Sequence, residues 1–223
     1  YAEGTYQISD QFDLTVGVRK TNDDRYFERW QTLYGGAFDP TYFCPGMPSA
    51  EVAPGVVVPL SDRCTQTVSY SETTPRAILG YQYDDDTLFY TSYSKGYSSG
   101  GFNQDTRMRP FLPEISDNIE IGFKTTLRDG KVRLNGTYFN NSYENQQLTV
   151  GRLVDGQPTA DLINAQEATL NGLELELMAQ LSESWSMTLA YGHLEGRYDK
   201  FTVEDNVFTN AADGSLVESI VTR

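Results

Sequence analysis

Five consecutive residues, Gly96-Tyr97-Ser98-Ser99-Gly100, match the G-x-S-x-G pattern of a nucleophile elbow, and the single histidine, His193, lies downstream with several aspartates between. Hydrolysis by such an elbow needs the serine on a sharp strand-to-helix turn. Here Gly101-Phe102-Asn103 and a proline-bearing loop follow, with no amphipathic helix, so the glycines read better as the end of a strand and the start of a loop. No enzyme activity is expected. Metal chemistry is equally thin. One histidine makes no His-rich site, and Asp84-Asp85-Asp86 lacks the spacing of a calcium loop and reads as a solvated turn. No cofactor is expected.

Cys44 and Cys64 are the only cysteines. In an oxidising compartment a disulfide between them would clip a 21-residue segment (positions 44 to 64 inclusive), worth about 3 kcal/mol in the chain-entropy account; two independent thiols are the alternative. Tyr97, Phe102, Arg107 and Arg109 surround one long loop. They combine aromatic faces with cations that could meet an anionic chelate, against the plain alternative of a solvated loop.

The chain carries 17 basic and 31 acidic side chains, a net charge of −14, which argues against nucleic acid as a partner because that affinity comes mainly from cationic contacts to phosphate. Tyrosine (15) outnumbers isoleucine (7) two to one, an excess of amphipathic aromatics. No run of about 18 apolar residues exists, so a membrane-spanning helix is excluded, whereas a spanning strand needs only about ten alternating residues. Neither an initiator methionine nor a basic-then-apolar start is present, so no signal peptide is expected in this chain.

These residues must be positioned by strands. Glycine and charge clusters mark eight, at about Tyr1–Ile8, Phe12–Trp30, Ser69–Tyr83, Thr87–Ser99, Asn118–Leu127, Val132–Val150, Gln166–Leu181 and Trp185–Phe201. Short turns at Ser9–Gln11, Asp84–Asp86, Arg128–Lys131 and Ser182–Ser184 alternate with long loops at 31–68, 100–117, 151–165 and 202–223. In an up-and-down sheet this places every short turn at one end, as in transmembrane barrels.

One parity of the strands is apolar throughout: Phe12, Leu14, Val16, Val18; Ala77, Leu79, Tyr81, Tyr83; Ile119, Ile121, Phe123; Leu173, Leu175, Leu177; Trp185, Met187, Leu189, Tyr191. The other holds Asp13, Arg19, Arg76, Glu120, Lys124, Arg133, Glu174 and Glu176. Arg or Lys on a lipid face costs about 2–4 kcal/mol at the midplane, which accounts for the segregation. A soluble β-sandwich alternates in the same way. Strands of about 19 residues and aromatics at Phe12, Tyr83 and Trp185 beside the short turns favour the membrane. The expected fold is all-β, an antiparallel up-and-down transmembrane β-barrel segment of about eight strands.

Several runs carry a resemblance. Thr74-Pro75-Arg76-Ala77-Ile78-Leu79-Gly80-Tyr81, Leu88-Phe89-Tyr90-Thr91-Ser92-Tyr93-Ser94-Lys95-Gly96-Tyr97, Ser99-Gly100-Gly101-Phe102-Asn103, Pro113-Glu114, Asn118-Ile119-Glu120-Ile121-Gly122-Phe123-Lys124 and Gly172-Leu173-Glu174-Leu175-Glu176 resemble, in order and spacing, barrel strands of TonB-dependent outer-membrane receptors. The resemblance implies a 22-stranded barrel in the outer membrane of a Gram-negative bacterium, plugged by an N-terminal domain. It also implies import of a scarce nutrient, typically a ferric siderophore or cobalamin, driven by the TonB complex acting on the plug. No plug, TonB-contacting segment or aromatic-ended final strand is recognisable in residues 1–223, so the whole chain is expected to be one partial barrel domain, an internal piece of a longer receptor. A passive porin-like channel is the competing reading. Ligand contacts are expected from loop tips and the upper lumen, and the apolar parity is expected to meet outer-membrane lipid.

Overall fold

The computed structural model describes residues 1–30, 49–53, 56–59, 63–103, 110–154, 157–200, 204–210 and 216–222, and the described residues form twelve strands and no helix. They are β1 (Ala2–Gln7), β2 (Phe12–Trp30), β3 (Ser49–Ala53), β4 (Val56–Pro59), β5 (Arg63–Asp84), β6 (Thr87–Ser98), β7 (Glu114–Leu127), β8 (Val132–Val154), β9 (Gln157–Gln180), β10 (Ser186–Lys200), β11 (Glu204–Asn210) and β12 (Leu216–Thr222). Eight form one antiparallel sheet in the order β1-β2-β5-β6-β7-β8-β9-β10, while β3 pairs with β4 and β11 with β12 in two separate hairpins.

Register brings the apolar parities of the strands onto one face. Leu14 lies opposite Leu79, Tyr81 opposite Phe89, Thr91 opposite Ile121, Ile121 opposite Tyr138, Tyr138 opposite Leu173, and Leu175 opposite Tyr191. A one-residue slip at any pairing would turn that strand's charges onto this face, so the pattern itself pins the register. The face is bare: Ile121 is 60% exposed and Leu189 59%. In a sandwich these side chains would be under a second sheet. Among the described residues no second layer covers them and the only buried hydrophobics are Ala165, Ala168 and Ala179.

The short connections close tightly. Ile8 N–H and Leu181 N–H donate to Phe12 O and Trp185 O, each at 2.8 Å. The Asp84 carboxylate accepts from Asp86 N–H at 3.0 Å, so it serves the turn itself. In Arg128-Asp129-Gly130-Lys131 the first three residues take positive φ (54°, 53° and 86°), which glycine tolerates freely and aspartate more readily than most residues. Aromatics collect at this end. Phe12 stacks on Tyr81 with centroids 4.6 Å apart, Tyr83 meets Tyr81 edge-on at 6.5 Å, and Trp185 stands 71% exposed.

At the other end the strands run further than the sequence patterning suggested. β5 begins at Arg63 and β7 at Glu114, within the loops expected at 31–68 and 100–117. The loop expected at 151–165 is a correction: β8 continues to Val154 and β9 starts at Gln157, paired from Gly151↔Ala160 to Val154↔Gln157. The segment expected as the loop 202–223 likewise carries β11 and β12. The physical reason is common to all. Beyond the apolar band a strand needs no apolar face, so alternation fades, and Gly151 and Pro158 then read as punctuation. β8 and β9, of 23 and 24 residues, far exceed the 9–11 that cross a bilayer. Their upper halves form a hairpin standing clear of the apolar band.

Candidate functional site

The upper end of β6 departs from its neighbour. β5–β6 pairing ends at Arg76↔Ser94, whereas β2 and β5 continue together from Arg19↔Thr74 to Trp30↔Arg63. Side chains bridge the divergence. Lys95 Nζ meets Glu72 Oε1 at 2.5 Å, Tyr97 Oη donates to Asp23 Oδ2 at 3.1 Å, and Arg25 Nε donates to Ser99 Oγ at 3.2 Å. Phe102 follows, its ring 5.6 Å from that of Phe27. Asp23, Arg25 and Phe27 alternate along the charged, inward parity of β2, so the segment after β6 folds into the concave side.

Gly100 and Gly101 permit this fold-back. A Cβ on Gly100 would lie 2.5 Å from Phe111 O and 2.7 Å from the Tyr70 ring, and one on Gly101 would lie 2.9 Å from the Phe111 ring. Gly101 and Phe111 form an isolated antiparallel bridge, and Tyr70 Oη donates to Phe111 O at 3.2 Å. The returning half of the segment rests on the β8–β9 hairpin. Gln147 Nε2 donates to Ser99 O (3.0 Å) and Leu112 O (3.1 Å), while Asn164 accepts from Leu112 N–H (2.7 Å) and donates to Leu112 O (3.0 Å).

A cavity of about 410 Å³ opens between these parts, lined chiefly by Arg25, Tyr26, Phe27, Phe102, Phe111 and Gln147. It is an open hollow rather than an enclosed one, with aromatic walls and a few fixed polar groups that a small molecule could contact. Arg25 has Asp23 at 3.8 Å and is partly exposed, leaving terminal guanidinium hydrogens to meet an anion. Tyr97 lies well past Tyr93, where the apolar band ends; burial pushes its phenol above the ordinary tyrosine range.

Of the four residues expected at the ligand loop, Phe102 lines the cavity and Tyr97 bonds to Asp23 on the same strand as Phe27, while Arg107 and Arg109 lie outside the described residues. So does Cys44; Cys64 stands on β5 opposite Arg29, and their pairing likewise lies outside the described residues. Arg25, Phe27, Phe111, Asn103, Gln147 and Asn164 were not foreseen. The Gly100-Gly101 pair was the one signal, since adjacent glycines mark close backbone approach. The elbow does not assemble: Ser98 ends β6 opposite Glu114, and His193 sits on β10 opposite Leu173, on the exposed apolar face four strands further round.

Lower on the inward face, polar groups serve one another. Tyr90 Oη donates to Glu120 at 2.5 Å with Thr137 at 3.1 Å, Lys124 Nζ stands 5.7 Å from the Tyr90 ring centre, and Asn135 donates to Glu176 at 3.1 Å. Arg76 pairs with Glu3 at 3.7 Å.

An eight-stranded wall with one face apolar, the other charged and its long hairpins at a single end defines part of an outer-membrane β-barrel. The family model described as TonB dependent receptor-like, beta-barrel, matches residues 1–218, and the chain belongs to that family, whose members are outer-membrane receptors of Gram-negative bacteria and not enzymes. The chain is 27% identical over 190 residues to the pesticin receptor of Yersinia enterocolitica, covering 83% of this chain and 24% of that protein. It is 31% identical over 120 residues to the ferric-pyoverdine BN7/BN8 receptor of Pseudomonas putida, covering 53% of this chain and 14% of that one. Its fold matches the crystal structure of the ferric yersiniabactin uptake receptor of Yersinia pestis with a TM-score of 0.64 at 20% identity, over 89% of this chain and 27% of the other. The chain thus spans about a quarter or less of the length of these relatives.

Proposed function

We propose that this chain is part of a TonB-dependent receptor which, when whole, imports a scarce nutrient with energy delivered through the TonB complex, the cargo being a ferric siderophore. The observation that carries this reading is the family match over residues 1–218 together with relatives named as pesticin and ferric-pyoverdine receptors. The cavity beside Phe27 and Phe102 supports it: an iron chelate is a bulky, commonly anionic ligand, and aromatic rings with a partly free guanidinium suit such a surface. Tyr97, Phe102, Arg107 and Arg109 are the proposed contacts of the loop, joined by Arg25 and Phe27 from β2. In the same reading the apolar face meets outer-membrane lipid, and TonB engages an N-terminal plug rather than this wall.

The test is growth under iron limitation of a strain whose only receptor is the full-length protein, fed a panel of catecholate, hydroxamate and phenolate ferric siderophores. One member of the panel should restore growth in a TonB-dependent manner. Phe102→Ala and Arg25→Ala should each raise the half-saturating concentration of that chelate roughly tenfold, the effect of about 1.4 kcal/mol, at unchanged outer-membrane abundance. Uptake that persists without TonB, with steady ion conductance across planar bilayers, would instead identify a passive channel.

A further inference from the structure

We propose that the segment Ser99–Asn103 and Pro110–Pro113 is a tie across the mouth of the wall. It joins the top of the β2–β5 hairpin to the top of the β8–β9 hairpin so that the two move as one unit, with Asn103, Gln147 and Asn164 as its positioning residues.

The distances let one short segment reach both hairpins. Four strands separate β2 from β9 in the sheet, so at roughly 4.8 Å per step they lie about 24 Å apart along the wall. Yet two adjacent residues touch both. The Phe102 ring is 5.6 Å from Phe27 of β2, and the next residue, Asn103, bonds to β9. Consecutive Cα atoms are only about 3.8 Å apart, so the Phe102–Phe27 ring pair on one side and the Asn103 amide on the other span most of that gap between them.

The attachment to β8–β9 is built, not incidental. Asn103 Nδ2 donates to Leu162 O at 2.8 Å while Leu162 N–H donates to Asn103 Oδ1 at 2.7 Å, the two-way pattern by which one strand addresses another. Asn164 repeats it with Leu112 and also donates to Asn145 O at 2.8 Å. Asn103 is 8% exposed and has both amide atoms used, as a buried amide must. On the opposite side the segment is held by Arg25, Phe27 and Tyr70. Above Arg76 neither β5 nor β6 pairs with the other, and above Glu144 neither does β7 with β8. Among the described residues, then, no other main-chain ladder joins the hairpin tops. The cavity draws its wall from both hairpins, Arg25 and Phe27 from one and Gln147 from the other, so whatever fills it is felt by both. That role in ligand capture rests on the import reading, whereas the mechanical tie does not.

Hydrogen exchange read by mass spectrometry on the full-length protein in lipid nanodiscs, with no ligand added, separates the two. Asn103→Ala should speed exchange about tenfold in the peptide containing Leu162, and also in the peptide around Arg25–Phe27 on the far hairpin, leaving Ile119–Phe123 unchanged. Coupling is reciprocal, so Phe102→Ala, which removes the ring contact to Phe27 and leaves the Arg25–Ser99 bond in place, should also speed exchange at Leu162. Should Asn103→Ala not insert, as judged by heat-modifiable migration, Asn103→Asp keeps the acceptor for Leu162 N–H and Phe102→Ala leaves the amides whole; each should show the same cross-hairpin effect. Faster exchange confined to the deleted contacts, with the opposite hairpin unaffected, overturns the tie. A failure of iron-fed growth with the cross-hairpin effect present would count against the import reading alone.

Discussion

Tyr90 explains why position 122 is a glycine. The two residues are direct cross-strand partners, and a Cβ on Gly122 would lie 2.6 Å from the Tyr90 ring and hydroxyl. The phenol has little freedom to yield, because it is held by Glu120 and Thr137 with Lys124 above its face. Phe123 over Gly136 and Phe139 over Gly172 repeat the arrangement on the next two pairings, with a Cβ 2.4 and 2.2 Å from the ring. Each glycine forfeits backbone entropy and gains a ring laid across the strand, as in the aromatic rescue of sheet glycines. Gly122→Ala should therefore destabilise the full-length barrel by about 1–3 kcal/mol through the lost hydrogen bonds to a charged group, measured by urea unfolding in lipid. Gly4→Ala, where nothing lies within 4 Å of the new methyl, should change it by less than about 0.5 kcal/mol. None of the residue-scale amide contacts of the tie was legible in sequence, since Asn103 and Leu162 are 59 positions apart and nothing local marks an asparagine as a bridge.

Strands were legible to the extent that the apolar face constrains them. From Ile119 to Leu127 and from Leu173 to Leu181 every second residue is apolar or, once, threonine, eight steps or about 27 Å along the strand, and these segments stand where the alternation placed them. Their continuations above the band, such as Gln146–Val154 against Gln157–Ala165, carry polar and apolar residues on both faces, so no period survives and only the ladder reveals them. This difference between band and extension gives a paired test. Leu175→Arg, on the bare face, should cost about 2–4 kcal/mol of folding free energy in vesicles. Glu174→Arg, one residue away on the inward face, should cost under about 1 kcal/mol. Equal penalties would mean that the faces are wrongly assigned.

At the scale of the whole molecule the sheet has two unpaired margins, β1 and β10, each hydrogen-bonded on one side only. Backbone groups without partners cost several kcal/mol apiece in lipid, so a spanning sheet must close. Residues 1–223 expressed alone should consequently aggregate or remain in detergent. A monodisperse monomer with heat-modifiable migration in vesicles would show instead that these eight strands form a small barrel by themselves. Within the sheet, every strand after β2 meets only the strands immediately before and after it, and the one skip, from β2 to β5, merely steps over an inserted hairpin. Such a weave has no threading order to preserve. A duplicated or lost hairpin would leave the pairing of all the others intact, so a gene of this design can change the girth of its product two strands at a time, and can lengthen any outer connection without disturbing its neighbours.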